Sequence, residues 1–595
     1  MRWAVEGVTG PPSPTSELFD AEQLPEGTRL LEEGATIGAR IRAGRSKFCV
    51  ARAVASEVEW KRSLMVRGEL EWSMIMGLAS LEEQVDALVR LDEYAQRTGV
   101  VIDRGLVIPN WVTGLPERLR ERAPRGTSFV LGGTQEHVAL AQAAPIMPCF
   151  NDWHIGSPAA VENTIAAIEA GGNYMGVLAQ FVWDLPYVES DIDTVADNVR
   201  AIAIAAQKVD DGVVVDSYMD DGMPAHFADN ASLVGYARLE RYVVEELCGA
   251  RYATGFGQLI SDIPTKISIW LALHRVLNHQ HPSLSYLYGN TLDASDSVIA
   301  GNFGISAAET VAFAAVERRY RTGIALLPNP ATEALQVPTV AEIEEVHAVA
   351  RAAASKAIEL EDLFDFRGLE ESRDELVSTG LRFYENILAG LADTGVNVRD
   401  PFQVLLGIRR IGAARLENLF HPGARDERAP NGIVPVSPTE FTRRIVRLAD
   451  EELERVYARA LGEAVAGRTF LVGSSDTHAY GMYVLERVLR ALRAEVVELG
   501  VDLDPEDVAA RVRGRGGRLG VAISSHNGQC LPYVRRLVAL LADREGTEIF
   551  VGGKLNYIAP GASEPSDVTG QLREAGAVPC AQVVDLVAHF ARPLS

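Results

Sequence analysis

Apolar residues between about positions 60 and 345 come in short runs separated by stretches of helical periodicity. The runs are LMVRG (64–68), GLVIP (105–109), SFVLGG (128–133), PIMPCF (145–150), YMGVLAQFV (174–182), GVVVDSY (212–218), RYATGFG (251–257), SLSYLYGN (283–290) and TGIALLP (322–328). They are continuously apolar and not strictly alternating, the pattern of strands buried on both faces and hence of a parallel sheet. Eight or nine βα repeats over about 280 residues match a TIM-type (β/α)8 barrel in size and rhythm. A barrel of this kind works at the C-terminal ends of its strands. This reading places Arg67, Asn110, His154, Asp216, Tyr218, Gln258, Asn290 and Asn329 there.

Residues 346–465 read as a mostly helical region. The stretch HPGARDERAPNGIVPVSP (421–438) breaks it and is expected to be a linker or surface excursion. From 466 to 595 the βα rhythm returns. TFLVG, EVVELG (495–500), LGVAISS (519–525) and TEIFVGG (547–553) are separated by helical stretches, and Asp504 with Pro505 offers an N-cap and a first helical position. The fold class is therefore α/β: an N-terminal extension (1–60), a barrel (61–345), a helical region (346–465) and a Rossmann-like, flavodoxin-like domain (466–595).

Composition narrows the partners. With 57 basic and 81 acidic residues the formal net charge is −24, which disfavours phosphate backbones and anionic lipid. No uninterrupted apolar stretch approaches the ~20 residues of a membrane span. The first residues, MRWAVEGVTGPPSPTSE, lack the apolar core of a signal peptide and read as a flexible lead. Five widely spaced cysteines read as buried apolar residues and not as a disulfide framework, so the expected compartment is the cytoplasm. The expected partners are a small-molecule substrate and a second copy of the chain, as a homodimer, but neither nucleic acid nor a membrane.

The chemistry concentrates in GSSDTHAYG (473–481), a loop between a strand and a helix. A dinucleotide fold wants G-x-G-x-x-G at this point, and the stretch does not fit. Asp476 and His478 are two apart, so on an extended loop they face the same way. A carboxylate beside an imidazole fixes the tautomer and raises the basicity of the other nitrogen, as behind a metal-ligating histidine. By itself the loop reads equally as a capped helix start. Two further strand ends carry small residues on the same edge: SSHNGQ (524–529) and VGG (551–553). Together they make a slot for an elongated ligand.

D-x-H-x-x-G, a serine-bearing strand end and G-G in that order resemble the cobalamin-binding domain of B12-dependent mutases and methyl carriers. The resemblance implies that His478 is the lower cobalt ligand, with Asp476 as its hydrogen-bond partner and Thr477 and Gly481 beside it. Ser524, Ser525, Gly552 and Gly553 would line the pocket of the nucleotide tail. Where the family often has a leucine two residues after the serine, this chain has His526. The chain as a whole resembles adenosylcobalamin-dependent glutamate mutase (methylaspartate mutase), with its barrel and cobalamin subunits fused. DLPYVES (184–190) then aligns Tyr187 with a substrate-contacting tyrosine, and NPATEALQVPT (329–339) aligns Glu333 with a residue holding the adenosyl ribose. Asn329 stands in place of that family's lysine. Arg67 is the candidate for a substrate-carboxylate arginine.

The family's other arginines are not matched: His154 stands at one position, Trp183 where a tyrosine would be, and Arg104 and Arg118 are the other arginines nearby. An imidazole does not replace a bidentate guanidinium against a carboxylate. The resemblance thus implies a radical isomerase that uses adenosylcobalamin on a small carboxylic or amino acid different from glutamate. The competing classes are a corrinoid methyltransferase and a B12-binding sensor. The pair His279 and His281, a conceivable metal site for the former, reads better as a surface turn, and RVRGRGGR (511–518) as a solvated helix end.

Overall fold

The computed structural model describes residues 24–123, 128–188, 190–277, 282–295, 297–333, 337–360, 363–426, 429–475, 480–500, 503–525, 530–557 and 566–591. These fall into two compact units, which meet in sequence between Thr439 and Glu440.

The first unit holds a closed barrel of eight parallel strands: β1 (Glu71–Met76), β2 (Arg104–Val107), β3 (Met147–Phe150), β4 (Tyr174–Met175), β5 (Val214–Tyr218), β6 (Tyr252–Phe256), β7 (Tyr286–Tyr288) and β8 (Ala325–Leu327). β1 closes the ring by pairing with both β2 and β8. Seven of the nine apolar runs overlap these strands, and two do not. LMVRG is the last turn of the helix Glu57–Arg67, which Gly68 stops at φ +65°, donating to the carbonyls of Leu64 and Met65. A glycine in the left-handed region ends a helix at no steric cost, and a short apolar run cannot by itself be told from a helix end. The true first strand follows it. SFVLGG is irregular chain over the loop after β2: Phe129 donates its amide to the carbonyl of Leu78 and accepts from Asn110, and Leu131 donates to Thr113 Oγ1.

The barrel is larger than the sequence boundaries imply. The helix Gly27–Gly38 packs on the helix Asp191–Ala206, where a Cβ on Gly34 would strike the Arg200 carbonyl at 2.3 Å. Helices Arg367–Asp393, Pro401–Ile411 and Ala413–Phe420 belong to the same unit. The stretch 421–438, as far as it is described, is no linker but a clasp. His421 Nε2 lies 3.0 Å from Asp229 Oδ2, both side chains fully buried, and the amides of Val436 and Ser437 donate to the same carboxylate. Asp229 also caps the helix Asn230–Arg241. The helix Ile299–Tyr320, the one described helix long and apolar enough to cross a membrane, lies between β7 and β8 with half of its apolar window buried in the barrel.

The second unit is a five-stranded parallel sheet of β9 (Thr469–Ser474), β10 (Glu495–Gly500), β11 (Leu519–Ser525), β12 (Thr547–Gly553) and β13 (Val578–Pro579), in the order β10-β9-β11-β12-β13. Alternation along β9 feeds two cores. Phe470 and Val472 pack with Ala522 and Phe550 on one face, and Leu471 with Val521 and Ile549 on the other. Helices cover both faces, which is the doubly wound arrangement. The first of them is Glu440–Ala458, whose Ile445, Ala449 and Val456 enter the first core. The unit therefore starts at 440 and not at 466. Asp504 and Pro505 stand at the N-cap and first helical position as expected, although the Asp504 side chain makes no capping bond.

Candidate functional site

In the second unit the strand order reverses beside β9, and ligands of such sheets sit outside the carboxyl ends at that switch point. β9 ends at Ser474, β11 at Ser524 and Ser525, and β12 at Gly552 and Gly553, which are in register with those two serines. Ser524 is 4% exposed and its Oγ has no hydrogen-bond partner among the described residues, while its carbonyl accepts from the Ser475 amide and hydroxyl and the Ser474 hydroxyl. A buried hydroxyl without a partner costs free energy unless a ligand satisfies it. Among the described residues Gly552 has only the Cys580 carbonyl, at 3.3 Å, near the place where a Cβ would sit. Small side chains and an unpaired hydroxyl at the switch point fit a polar, elongated group such as a cofactor tail. Gly481 lies in the first turn of the helix Tyr480–Ala491. Asp476, Thr477 and His478 lie outside the described residues, as do His526, His279 and His281.

The mouth of the barrel is built from other residues than the sequence singled out. Arg67 ends a helix that precedes β1, so it lies before the N-terminal end of that strand. It is exposed there and paired with Glu69 at 2.7 Å. It is not at the mouth, because the apolar run that carried it is helical. His154 follows β3 but its ring is fully buried, with Nδ1 at 2.8 Å from the Asp152 carbonyl and Nε2 at 3.0 Å from His137 Nε2. Both nitrogens are taken, so His154 has none left for a substrate. Trp183 lies after β4, partly exposed and 5.3 Å from Trp153 between ring centres. Tyr187 is 40% exposed with φ +71°, its ring under the Arg122 guanidinium. Arg118 is exposed on the helix Glu117–Arg120. Arg104, at the start of β2, is enclosed between the rings of Tyr174 and Tyr286 and lies 3.5 Å from Glu57.

What does line the upper lumen is a set of tyrosines and carboxyl groups. Tyr218, Tyr286 and Tyr288 rise from β5 and β7, with Tyr218 stacked on Tyr286 at 6.1 Å. Tyr288 donates to Glu333 Oε1 at 2.9 Å, and burial pushes the Glu333 carboxyl up to about 7. Asn151, just past β3, donates to Asp216 Oδ2 at 3.0 Å and to the Tyr286 hydroxyl at 2.8 Å, a bridge across three strands. Burial raises Asp216 to about 8. Above it, the Gln180 amide donates to Asp152 Oδ1 (3.2 Å) and to Asp221 Oδ2 (3.3 Å). Burial lifts Asp152 to about 6. Burial, then the charge of Asp152, lifts Asp221 to about 7. Asn329 donates to the Asn290 carbonyl, and its Oδ1 and the Ser306 Oγ, both without a partner among the described residues, line a cavity of about 10 Å³, room for one water. Sequence reasoning found Asp216, Tyr218 and Asn329 by their places at strand ends. It missed Asp152 and Asp221, which sit in loops, and Gln180, in the short 3-10 helix Leu178–Val182, although the acidic pair DD at 220–221 just past a strand was a visible signal.

Residues 470–574 match the B12 binding domain family. No curated protein matches the chain. Among solved structures, that of the Methanosarcina barkeri monomethylamine corrinoid protein aligns with 38% of this chain and 89% of its own length, at 17% identity and a TM-score of 0.18. The polypeptide thus carries a cobalamin-binding domain at its C-terminal end, behind a (β/α)8 barrel.

Proposed function

We propose that the protein is an adenosylcobalamin-dependent radical isomerase, a carbon-skeleton mutase of the glutamate mutase kind. The observation that supports it best is the presence, on one chain, of a B12 binding domain and a closed barrel whose upper lumen is lined by polar side chains. In this reading His478 holds the cobalt from below, backed by Asp476, with Thr477 and Gly481 beside it. Ser524, Ser525, Gly552 and Gly553 take the nucleotide tail. Glu333, held by Tyr288, and Asn329 face the adenosyl ribose, while Trp183 and Tyr187 border the substrate.

When bound, the cofactor supplies a carbon-centred radical, and the protein supplies binding, orientation and exclusion of water. The barrel wall does the last of these: Leu106, Ala325 and Leu327 pack with the tyrosine rings inside it. Since neither Arg67 nor His154 is available as a grip, a second carboxylate in the lumen would lack a partner there at a cost of several kcal/mol. Glutamate is accordingly expected to be a poor substrate. The test is to incubate the protein with adenosylcobalamin tritiated at the 5′ carbon and a panel of small amino acids. Tritium in a recovered amino acid supports the reading. Methyl transfer from methylcobalamin to an acceptor, with no tritium exchange, would assign the corrinoid methyltransferase class instead.

A further inference from the structure

Three features of the barrel mouth point the same way. Two carboxyl groups from different loops, Asp152 after β3 and Asp221 after β5, converge on one amide, that of Gln180. Both residues are half-buried, and protein surrounds their carboxyl groups closely enough to raise their proton affinity. Deeper in the lumen, Asp216 is fully buried, and its Oδ1 accepts from no side chain. The remaining wall is aromatic: the charge of Asp152 reaches the hydroxyls of both Tyr286 and Tyr288, and that of Asp221 reaches Tyr218.

Deeper in the lumen Arg104 lies against the Tyr286 ring, its Nε and Nη1 without a hydrogen-bond partner among the described residues, whereas the cations nearer the rim are engaged. Lys266 is paired with Glu309 at 2.5 Å and donates to the Tyr288 carbonyl. Arg120 spends its guanidinium on the carbonyls of Thr113, Leu115, Leu131 and Gly132 and on Asn163. Arg409 is held by Asp184. Around Asp152 and Asp221 the mouth therefore offers acceptors and ring faces, with Arg122 on the Tyr187 ring and Arg104 deeper against Tyr286. A carboxylate arriving there meets repulsion, whereas an ammonium group meets two carboxylates and a tyrosine wall, the two means by which proteins hold organic cations.

We propose that the end of the substrate seated at the barrel mouth is an organic cation, an ammonium or guanidinium group held by Asp152 and Asp221 against the Tyr288 side of the wall. The inference rests on the mutase reading only for what is then done to the cation. The test is calorimetric titration of the full chain with 1,4-diaminobutane and, separately, with succinate, at about pH 8, where both carboxyl groups are ionised. The diamine is expected to bind and succinate not. Asp152→Asn and Asp221→Asn should each weaken the diamine at least ~10-fold, the loss of one charge-assisted hydrogen bond. Should a variant fail to fold, the native protein still decides: raising salt from about 50 to about 500 mM must weaken the diamine severalfold. Tighter binding of succinate, or diamine binding indifferent to both substitutions or to salt, overturns the proposal. Adenosylcobalamin binding, read separately from the visible spectrum, tests the other reading. A bound diamine without bound cobalamin sinks the mutase and leaves the cation site standing.

Discussion

His154 Nε2 and His137 Nε2 face each other at 3.0 Å, while the two Nδ1 atoms face the carbonyls of Asp152 and Gly133. Three hydrogen-bonding gaps thus ask for three protons, and two neutral imidazoles supply two. Burial opposes the third: it holds His137 down at about 4 and, with the His137 charge, His154 well below its ordinary range. The folded pair therefore refuses protons that the unfolded chain takes up near pH 6.5. The stability it brings is present above that pH and is lost as pH falls from about 6.5 towards about 4, on the order of 3 kcal/mol for His137. His137→Gln should flatten that acid slope in urea unfolding at pH 7 and pH 5. An unchanged slope would mean that the native pair already shares the third proton.

The lumen carboxylates carry the opposite sign. Asp216 is raised from 3.8 to about 8, so its contribution is full below about pH 4 and is lost as pH rises through 8. Asp216→Asn keeps an acceptor for Asn151 and removes the charge. At about pH 8 the variant should be more stable than the native chain by a few kcal/mol, and at about pH 4 equal to it. Thermal melts at the two pH values check this, and a variant that melts lower at both would contradict it.

Cobalamin should bind through His478. Replacing it with alanine should abolish the axial-nitrogen splitting in the electron paramagnetic resonance spectrum of the reduced cofactor. Asp476→Asn should weaken binding by about 10–100-fold, the usual loss for a residue that orients a metal-ligating histidine. Unchanged spectra and affinity in His478→Ala would remove the assignment.

A branched side chain at the slot tests the tail pocket from the other wall. In Gly552→Val the added methyls meet the Cys580 carbonyl, 3.3 Å from the Cβ position, and fill the space beside Ser524. Cobalamin affinity should drop at least ~10-fold with little change in melting temperature, since the site is at a strand end and not in a core. Equal affinity would place the tail elsewhere.

The unit boundary is open to test by truncation. A fragment starting at 440 retains Ile445, Ala449 and Val456 over the face that holds Phe470 and Val472. It should fold and bind cobalamin, whereas a fragment starting at 466 exposes that face and should aggregate. Equal solubility of the two would make the helix Glu440–Ala458 dispensable.

How far the sequence reached differs between the two units for a physical reason. In the second unit each strand end coincides with a change of residue type, SSH after an apolar run and GG after another, so strands, slot and sheet class are all legible. In the barrel, buried helices and buried strands share the same apolar composition. Only the glycine after Arg67 marked LMVRG as a helix end, and the strand EWSMIM was passed over because its glutamate and serine dilute the run. Those two side chains face inward: Glu71 is buried against Lys61 at 2.9 Å. Polar residues aimed into a lumen look, in one dimension, like the end of a strand. The loops escaped for another reason. Which of Asp152, His154, Gln180 and Asp221 face a substrate depends on packing between segments far apart in sequence, and no local pattern records it.

Lys61 and Glu71 also give the lumen a floor, together with Arg104 and Glu57. Burial favours the protonated form of Glu57 against the opposing charge of Arg104, and Asp103 and Glu317 are further carboxyl groups buried near this end. The mouth above carries Asp152, Asp221 and Glu333. The lumen thus holds the cations Lys61 and Arg104 at depth and carboxyl groups at its rim. A zwitterion entering such a lumen has one favoured heading, carboxylate downwards and ammonium at the rim, before any side chain has touched it.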